Sequence, residues 1–449
     1  MVDRADGGLS RRRGAGEVLA WALPLVVLAA LAVRLLLYVQ RHAVDVLYWD
    51  QWDFLDPLFR GAGVWAQFDL QHGPHRQGLG GLLLAWVLPA TGWSTRAEAL
   101  VSASIVIAAA ALAWATVRRT TGSPSWTDVA APLLCLGGGL EELFVGTSNP
   151  AHGPIPMALI FVLALAWTRR EPVQRAVACG VVGGLATFTG FGFFAGLVNP
   201  LLFLSEWVHA GRDVRRRWAA VLGLVLSAAA LAAFFLNWRF VPAVECFRFP
   251  HPRPLEYLDY LGFVLARPLG MHRLGGVRTW LARGVALGVL ALCAWALLRL
   301  FRRDEPAGRV LALLLGFSCL FALNTAVGRV CLGPGSAGSA RYVPYVVPGW
   351  VAVVIAARTR ARASARWAVL SPVLVLITLR TFNVRGEEVM GQRYADGKRR
   401  WAACYRQRHD IHLCDGDTAF PVYPDPPATR MQEKLDFLEA RRLNLFQPQ

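Results

Sequence analysis

Apolar runs recur along this chain from Glu17 to Thr381, separated by Arg-rich or Gly/Pro-rich breaks. That pattern constrains the fold more than any motif. A bilayer core of about 30 Å offers no water to backbone N–H and C=O groups, so a crossing segment must satisfy them internally, as a helix of about 20 apolar residues does. Runs at 17–38, 97–117, 128–141, 154–168, 173–188, 193–208, 219–240, 278–300, 309–327, 342–357 and 366–381 predict an all-α, polytopic transmembrane helix bundle of about eleven spans. The chain is 55% hydrophobic and only 17% charged, against about 25% charged in a typical soluble domain. Its 17 Trp suit interfacial belts.

A net charge of +17 would suggest nucleic acid in a soluble protein. Here the arginines fall between the apolar runs: Arg118-Arg119, Arg169-Arg170, Arg212 to Arg217, Arg302-Arg303 and Arg358 to Arg366. The positive-inside rule accounts for them, so membrane lipids and no nucleic acid are the expected surroundings. Arg4 and Arg11-Arg12-Arg13 place the N-terminus in the cytoplasm, with 17–38 as an uncleaved first span. Arg34 near its outer end reads as snorkelling or as reaching a lipid phosphate. Gly78–Ala90 is the exception among the runs: at 1.5 Å per residue it reaches about two-thirds of the bilayer core. If it crossed, every later basic cluster would face outside. It therefore reads as a juxtamembrane helix.

This topology divides the chain into a membrane domain, 1–382, and an extracytoplasmic tail, 383–449. Outside lie 39–77, 141–153, 189–192, 241–276 and 328–341. Within 241–276, a Pro- and aromatic-rich loop that includes Pro242, Leu255–Ala266 reads as a surface helix, and 429–443 as a closing helix. Cys135, Cys179, Cys293 and Cys319 lie in apolar runs as small core residues. Cys404 and Cys414, in a small exported tail with little core, are a disulfide candidate. Cys246 and Cys331 also fall in outer loops, so other pairings stay open.

Chemistry concentrates in the first outer loop, at Tyr48-Trp49-Asp50-Gln51-Trp52-Asp53-Phe54 and Gln71-His72-Gly73-Pro74-His75-Arg76. Asp50 and Asp53 would share a face of a helix starting after the first span, where a carboxylate can act as general base on a hydroxyl. The neighbouring rings can stack on sugars or simply sit among headgroups. Arg76, next to a helix N-terminus, suits a phosphate. His72 and His75 suit phosphate or sugar contacts, or a divalent metal shared with Asp50 or Asp53. Glu141-Glu142, at the end of a run, reads as an acceptor-binding or gating pair or as interface placement. Arg329 and Arg341-Tyr342 bracket a Gly-rich outer loop and suit a lipid-linked phosphate, or the neutralisation of Asp50 or Glu142. No phosphate-binding Walker loop, GxSxG or HExxH occurs.

The order of a first span, an outer loop with an acidic motif, a juxtamembrane helix and about ten further spans resembles the GT-C glycosyltransferases. More narrowly it is similar to a group of bacterial membrane proteins of that superfamily whose first loop reads Trp-Asp-Glu-Trp-Asp, then His-Asn-Glu-His-Arg. The matching residues are Trp49-Asp50-Gln51-Trp52-Asp53 and His72-Gly73-Pro74-His75-Arg76, with further likeness at 91–98, 186–192, Gly328-Arg329 and 339–342. Gln51 and Gly73-Pro74 depart from that pattern. The resemblance implies an inverting transferase in the bacterial cell (inner) membrane. It would move a sugar from a polyprenyl-phosphate donor to an envelope glycan, lipid or protein acceptor. Asp50 would be the base with Asp53 as second candidate, and Arg76, Arg329 and Arg341 would hold the donor phosphate. The competing readings are a transporter or lipid-carrier flippase, marked by charges along a mid-membrane path, and a non-catalytic envelope-assembly protein.

Overall fold

Helices begin and end where local chemistry dictates. Ser94 accepts a hydrogen bond from the Ala97 N–H (3.1 Å) to start Thr95–Thr121, and Gly122 in the left-handed region closes it. Pro154 and Pro172 open Pro154–Trp167 and Pro172–Thr187, at positions where a missing N–H costs nothing. The computed structural model describes residues 15–241, 244–271 and 278–447. The N-terminal arginines Arg4 and Arg11–Arg13, and Pro242 and positions 272–276 of the fourth outer loop, lie outside the described residues.

The described residues form an all-α bundle whose one β element is a two-residue hairpin, Gln71–His72 paired with His75–Arg76. Eight of the described helices are long and apolar enough to cross a membrane. The runs expected to cross at 128–141, 154–168 and 173–188 form shorter helices, Ala130–Leu136, Pro154–Trp167 and Pro172–Thr187.

The loops sort into two ends. At one end the basic connections meet and are neutralised by Arg358–Asp128, Arg175–Glu206 and Arg216–Asp304 pairs, with Arg119 donating to Thr168 at 3.4 Å. At the other end the polar loops interlock. Leu79 N–H donates to Thr189 Oγ1 (3.1 Å), Asn149 to Gln77 (3.1 Å) and Ser339 to Glu142 (2.7 Å). Arg34 neither snorkels nor stands free for a phosphate; it donates to the carbonyls of Thr381 (2.6 Å) and Leu136 (3.0 Å), tying three segments together.

Gly78–Ala90 forms a helix whose glycine face lies against the bundle's polar end. Gly78 has a φ of +52°, and a Cβ there would stand 2.1 Å from the Phe188 carbonyl oxygen. Trp86 on the opposite face is exposed. Leu255–Ala266 is helical, but it is no surface helix: Tyr260 to Ala266 are buried, packed against Arg278–Arg302.

A second apolar core lies outside the bundle. Val46, Leu47, Trp52, Phe54 and Trp93 pack with Trp401, Tyr405, Met431, Leu435 and Leu438 of the tail. The tail comprises Arg385–Arg408, Ile411–Thr418 and Met431–Ala440, the last standing within the expected closing helix. It grips the backbone of the first loop and of the turn after Gly78–Ala90. The Trp49 N–H donates to the Val422 carbonyl (2.7 Å), Lys434 Nζ to the Trp52 carbonyl (2.5 Å) and Asn444 Nδ2 to the Trp93 carbonyl (2.7 Å). Cys404–Cys414 is a disulfide, and a second joins Cys246 to Cys331.

Candidate functional site

The polar end encloses a cavity of about 480 Å³ lined by residues that are distant in sequence. Asp50 enters it from the turn just before Gln51–Phe54. Trp49 holds a left-handed φ of 54° while its N–H is taken by Val422, which sets the direction in which Asp50 leaves the chain. His72 and His75 face each other across the hairpin, whose turn uses Gly73 at a φ of +60°. Partners directly opposite in an antiparallel pair present side chains to the same face, and both imidazoles line the cavity. His72 Nε2 lies 3.8 Å from Asp50 Oδ2. His75 meets His152, from the loop before Pro154–Trp167, through their Nε2 atoms.

Across the cavity stand Arg329, at the end of Pro306–Arg329, with Arg341 and Tyr342. Burial works against a charged Asp50, but the nearby His72 imidazole and the charges of Arg341 and Arg329 outweigh it and hold the carboxyl below its usual range. Asp50 is therefore a carboxylate at neutral pH. Burial, with His72 adding to it, pushes His75 down to about 3, and burial and His75 push His152 well below its ordinary value. Both imidazoles are neutral. Of the remaining lining, Phe191, Phe240, Val241, Phe247, Val327 and Tyr345 are apolar or aromatic, and Asn324 and Thr325 add polar side chains.

Three candidates stand elsewhere than expected. Asp53 does not share a cavity-facing surface with Asp50: the helix is a single turn, and Asp53 Oδ2 accepts from Tyr423 of the tail at 2.7 Å. Arg76 is buried and holds no free anion site. It donates to Asp69 (2.6 Å) and to the carbonyls of Phe234 (3.0 Å) and Leu236, so it caps the end of Val214–Phe235. Glu142 lies behind the cavity wall, accepting from Ser339 and standing 3.7 Å from Arg341 Nε. That is the neutralising alternative, and it steadies Arg341.

Two residues carry more than their sequence context suggested. His152 enters the site from 77 positions beyond His75; a lone histidine between prolines gave no signal of that pairing. Gln51 receives the Tyr48 N–H (2.9 Å) and donates to buried Glu98 (3.0 Å), so its amide both donates and accepts at a position where an acid only accepts. Beside it, Lys398 of the tail donates to the Gly146 carbonyl at 3.0 Å; burial, only partly offset by Glu98 and Asp45, lowers its amine to about 7. Among the described residues no group of three or more His, Cys, Asp or Glu is arranged to hold a metal ion.

The cavity therefore joins one carboxylate, two guanidinium groups and an apolar wall. It can bind an amphiphile with an anionic head and accept a proton 3.8 Å from an imidazole. In comparison with known proteins, no family model, no curated protein and no solved structure matches the chain.

Proposed function

We propose that this chain is an integral membrane glycosyltransferase that moves a sugar from a polyprenyl-phosphate donor to an envelope acceptor at the outer face of a bacterial cell membrane. The observation that carries the reading is the placement of Asp50 opposite Arg329 and Arg341 in one cavity with an aromatic, membrane-compatible wall. The reading also takes the bundle as GT-C-like, with eleven crossings, the basic loops in the cytoplasm and the tail outside.

In this mechanism the acceptor hydroxyl lies against Asp50. Its oxygen attacks the anomeric carbon from the face opposite the phosphate. The C–O bond to phosphate breaks with the electron pair leaving on the phosphate oxygen, and the hydroxyl proton passes to the Asp50 carboxylate. Arg329 and Arg341 stabilise the leaving phosphate, which gains negative charge in the transition state. A carboxylate of low basicity suffices, because the hydroxyl acidifies as its bond to carbon forms. Neutral His75 and His152 add no positive charge to compete for the donor phosphate.

The test compares a host lacking this gene with the same host carrying wild type or Asp50→Asn at equal membrane abundance. Envelope glycans and polyprenyl-phosphate sugars are measured by mass spectrometry. The reading requires that deletion and Asp50→Asn lose the same sugar and accumulate its lipid donor. Wild-type glycans in the Asp50→Asn strain, beside a defect in the deletion, would remove Asp50 as the base.

A further inference from the structure

One wall of the cavity comes from a segment with no role in the chemistry above. Positions 236–241 and 244–253 leave the end of Val214–Phe235 and cross the cavity mouth. Phe240, Val241 and Phe247 line the cavity, and Phe240 and Phe247 rings stand 6.0 Å apart. Phe240 and Val241 are nevertheless 64% and 47% exposed, which is expensive in water and favourable in lipid.

The segment is pinned at both sides of the mouth. On the Asp50 side the histidine hairpin holds its base. Arg76 takes the Phe234 and Leu236 carbonyls, Gln71 exchanges two hydrogen bonds with the Arg239 backbone (2.6 and 3.0 Å), and Trp238 Nε1 donates to the Pro74 carbonyl at 3.2 Å. On the arginine side the Cys246–Cys331 disulfide ties it two residues past Arg329. This gives Arg76 and Gln71 a purpose: the hairpin that presents His72 and His75 also fixes the strap.

We propose that this strap is the specificity-determining wall for the lipid part of the substrate, with Phe240 and Phe247 as the contact residues and the Cys246–Cys331 disulfide as its positioning bond. The ligand class is an isoprenoid phosphate, its phosphate on Arg329 and Arg341 and its chain on the aromatic strap. The inference rests on the reading of the cavity as a lipid-phosphate site and adds where the chain lies.

The test is photolabelling of the full-length protein in lipid nanodiscs with farnesyl phosphate carrying a benzophenone at the end remote from phosphate. Trypsin cuts after Arg239 and Arg248, so a labelled strap appears as Phe240–Arg248, disulfide-linked to Val330–Arg341. The expected result is label in Phe240–Arg248, competed by unlabelled farnesyl phosphate and reduced about tenfold by Phe240→Ala/Phe247→Ala and by Cys246→Ser/Cys331→Ser. The two phenylalanine changes are independent of the disulfide, so poor folding of the serine variant leaves the test intact. Competed label that maps to another segment, or that survives both variants, overturns the strap while leaving the lipid-phosphate reading standing. Label that is not competed and is indifferent to Arg329→Gln/Arg341→Gln ends both.

Discussion

At the scale of single residues, Asp50 and Asp53 of the first loop have separate surroundings. Asp50→Asn should abolish transfer and lower thermal stability modestly, because the carboxylate faces the cavity and is held below its usual range by His72, Arg341 and Arg329. Asp53→Asn keeps an acceptor for Tyr423 and should retain transfer; envelope glycan analysis of the two strains side by side checks the contrast. The histidines set a pH limit. Unfolded imidazoles titrate near 6.5, whereas buried His75 titrates at about 3 and His152 well below its ordinary value, facing His72, Asp50, Arg329 and Arg341. The unfolded chain therefore binds protons first. Stability from these groups is complete above about 6.5 and is lost as pH falls below it, because the unfolded chain takes up protons that the buried, folded imidazoles refuse. Melting temperatures measured from pH 7.5 to 5 should decline accordingly, and His152→Phe should flatten the slope by one proton. Asp50, His72, Arg329 and Arg341 were legible in the sequence because charges beside apolar runs are costly unless they serve a cavity. Arg76 was not: a guanidinium that caps carbonyls and one that holds phosphate look alike in sequence. Asp53 was misread because its partner lies 370 positions away.

At the scale of elements, the close approach of Gly78–Ala90 is the most sensitive joint. Gly78→Ala places a methyl against the Phe188 carbonyl at a φ that L-residues avoid, and should cost about 2–4 kcal/mol. Differential scanning fluorimetry, together with faster proteolysis within 60–77, would report it. In the second core, Trp401 is fully buried, stacks on Tyr405 and donates to Asp415 at 2.7 Å. Trp401→Ala should cost about 3–5 kcal/mol and abolish transfer without touching the cavity; protease nicking of the tail in intact membranes checks it. The bounds of Gly78–Ala90 and Leu255–Ala266 followed from run length and flanking Gly and Pro. The burial of Leu255–Ala266 did not, because its cover, Arg278–Arg302, is set by tertiary packing. Nor did the hairpin, whose two-residue strands are too short to show a period.

At the scale of the whole molecule, charge asymmetry is built into the fold. Basic loops gather at one end with their buried partners, and the cavity, strap and tail gather at the other. In spheroplasts, Glu433→Cys should react with a membrane-impermeant maleimide and Ser123→Cys only after permeabilisation. The free cysteines Cys135, Cys179, Cys293 and Cys319 are buried and give little background. The reverse pattern would place the site in the cytoplasm and sink the exported reading. The sorting of loops was readable from arginine positions alone. The joining of first loop to last helix was not, since no local pattern encodes a contact between the two ends of a chain. That joining has a consequence for biogenesis. The main chain that directs Asp50 is held by Val422, and the surrounding core closes only when Met431 to Leu438 arrive. A ribosome making this chain thus releases all eight described candidate membrane helices before the first loop meets Val422 and Met431 to Leu438. The Asp50 wall is completed by a segment made after the described membrane helices, so a chain that stops before Met431 carries all the cavity side chains and lacks the core that sets Asp50.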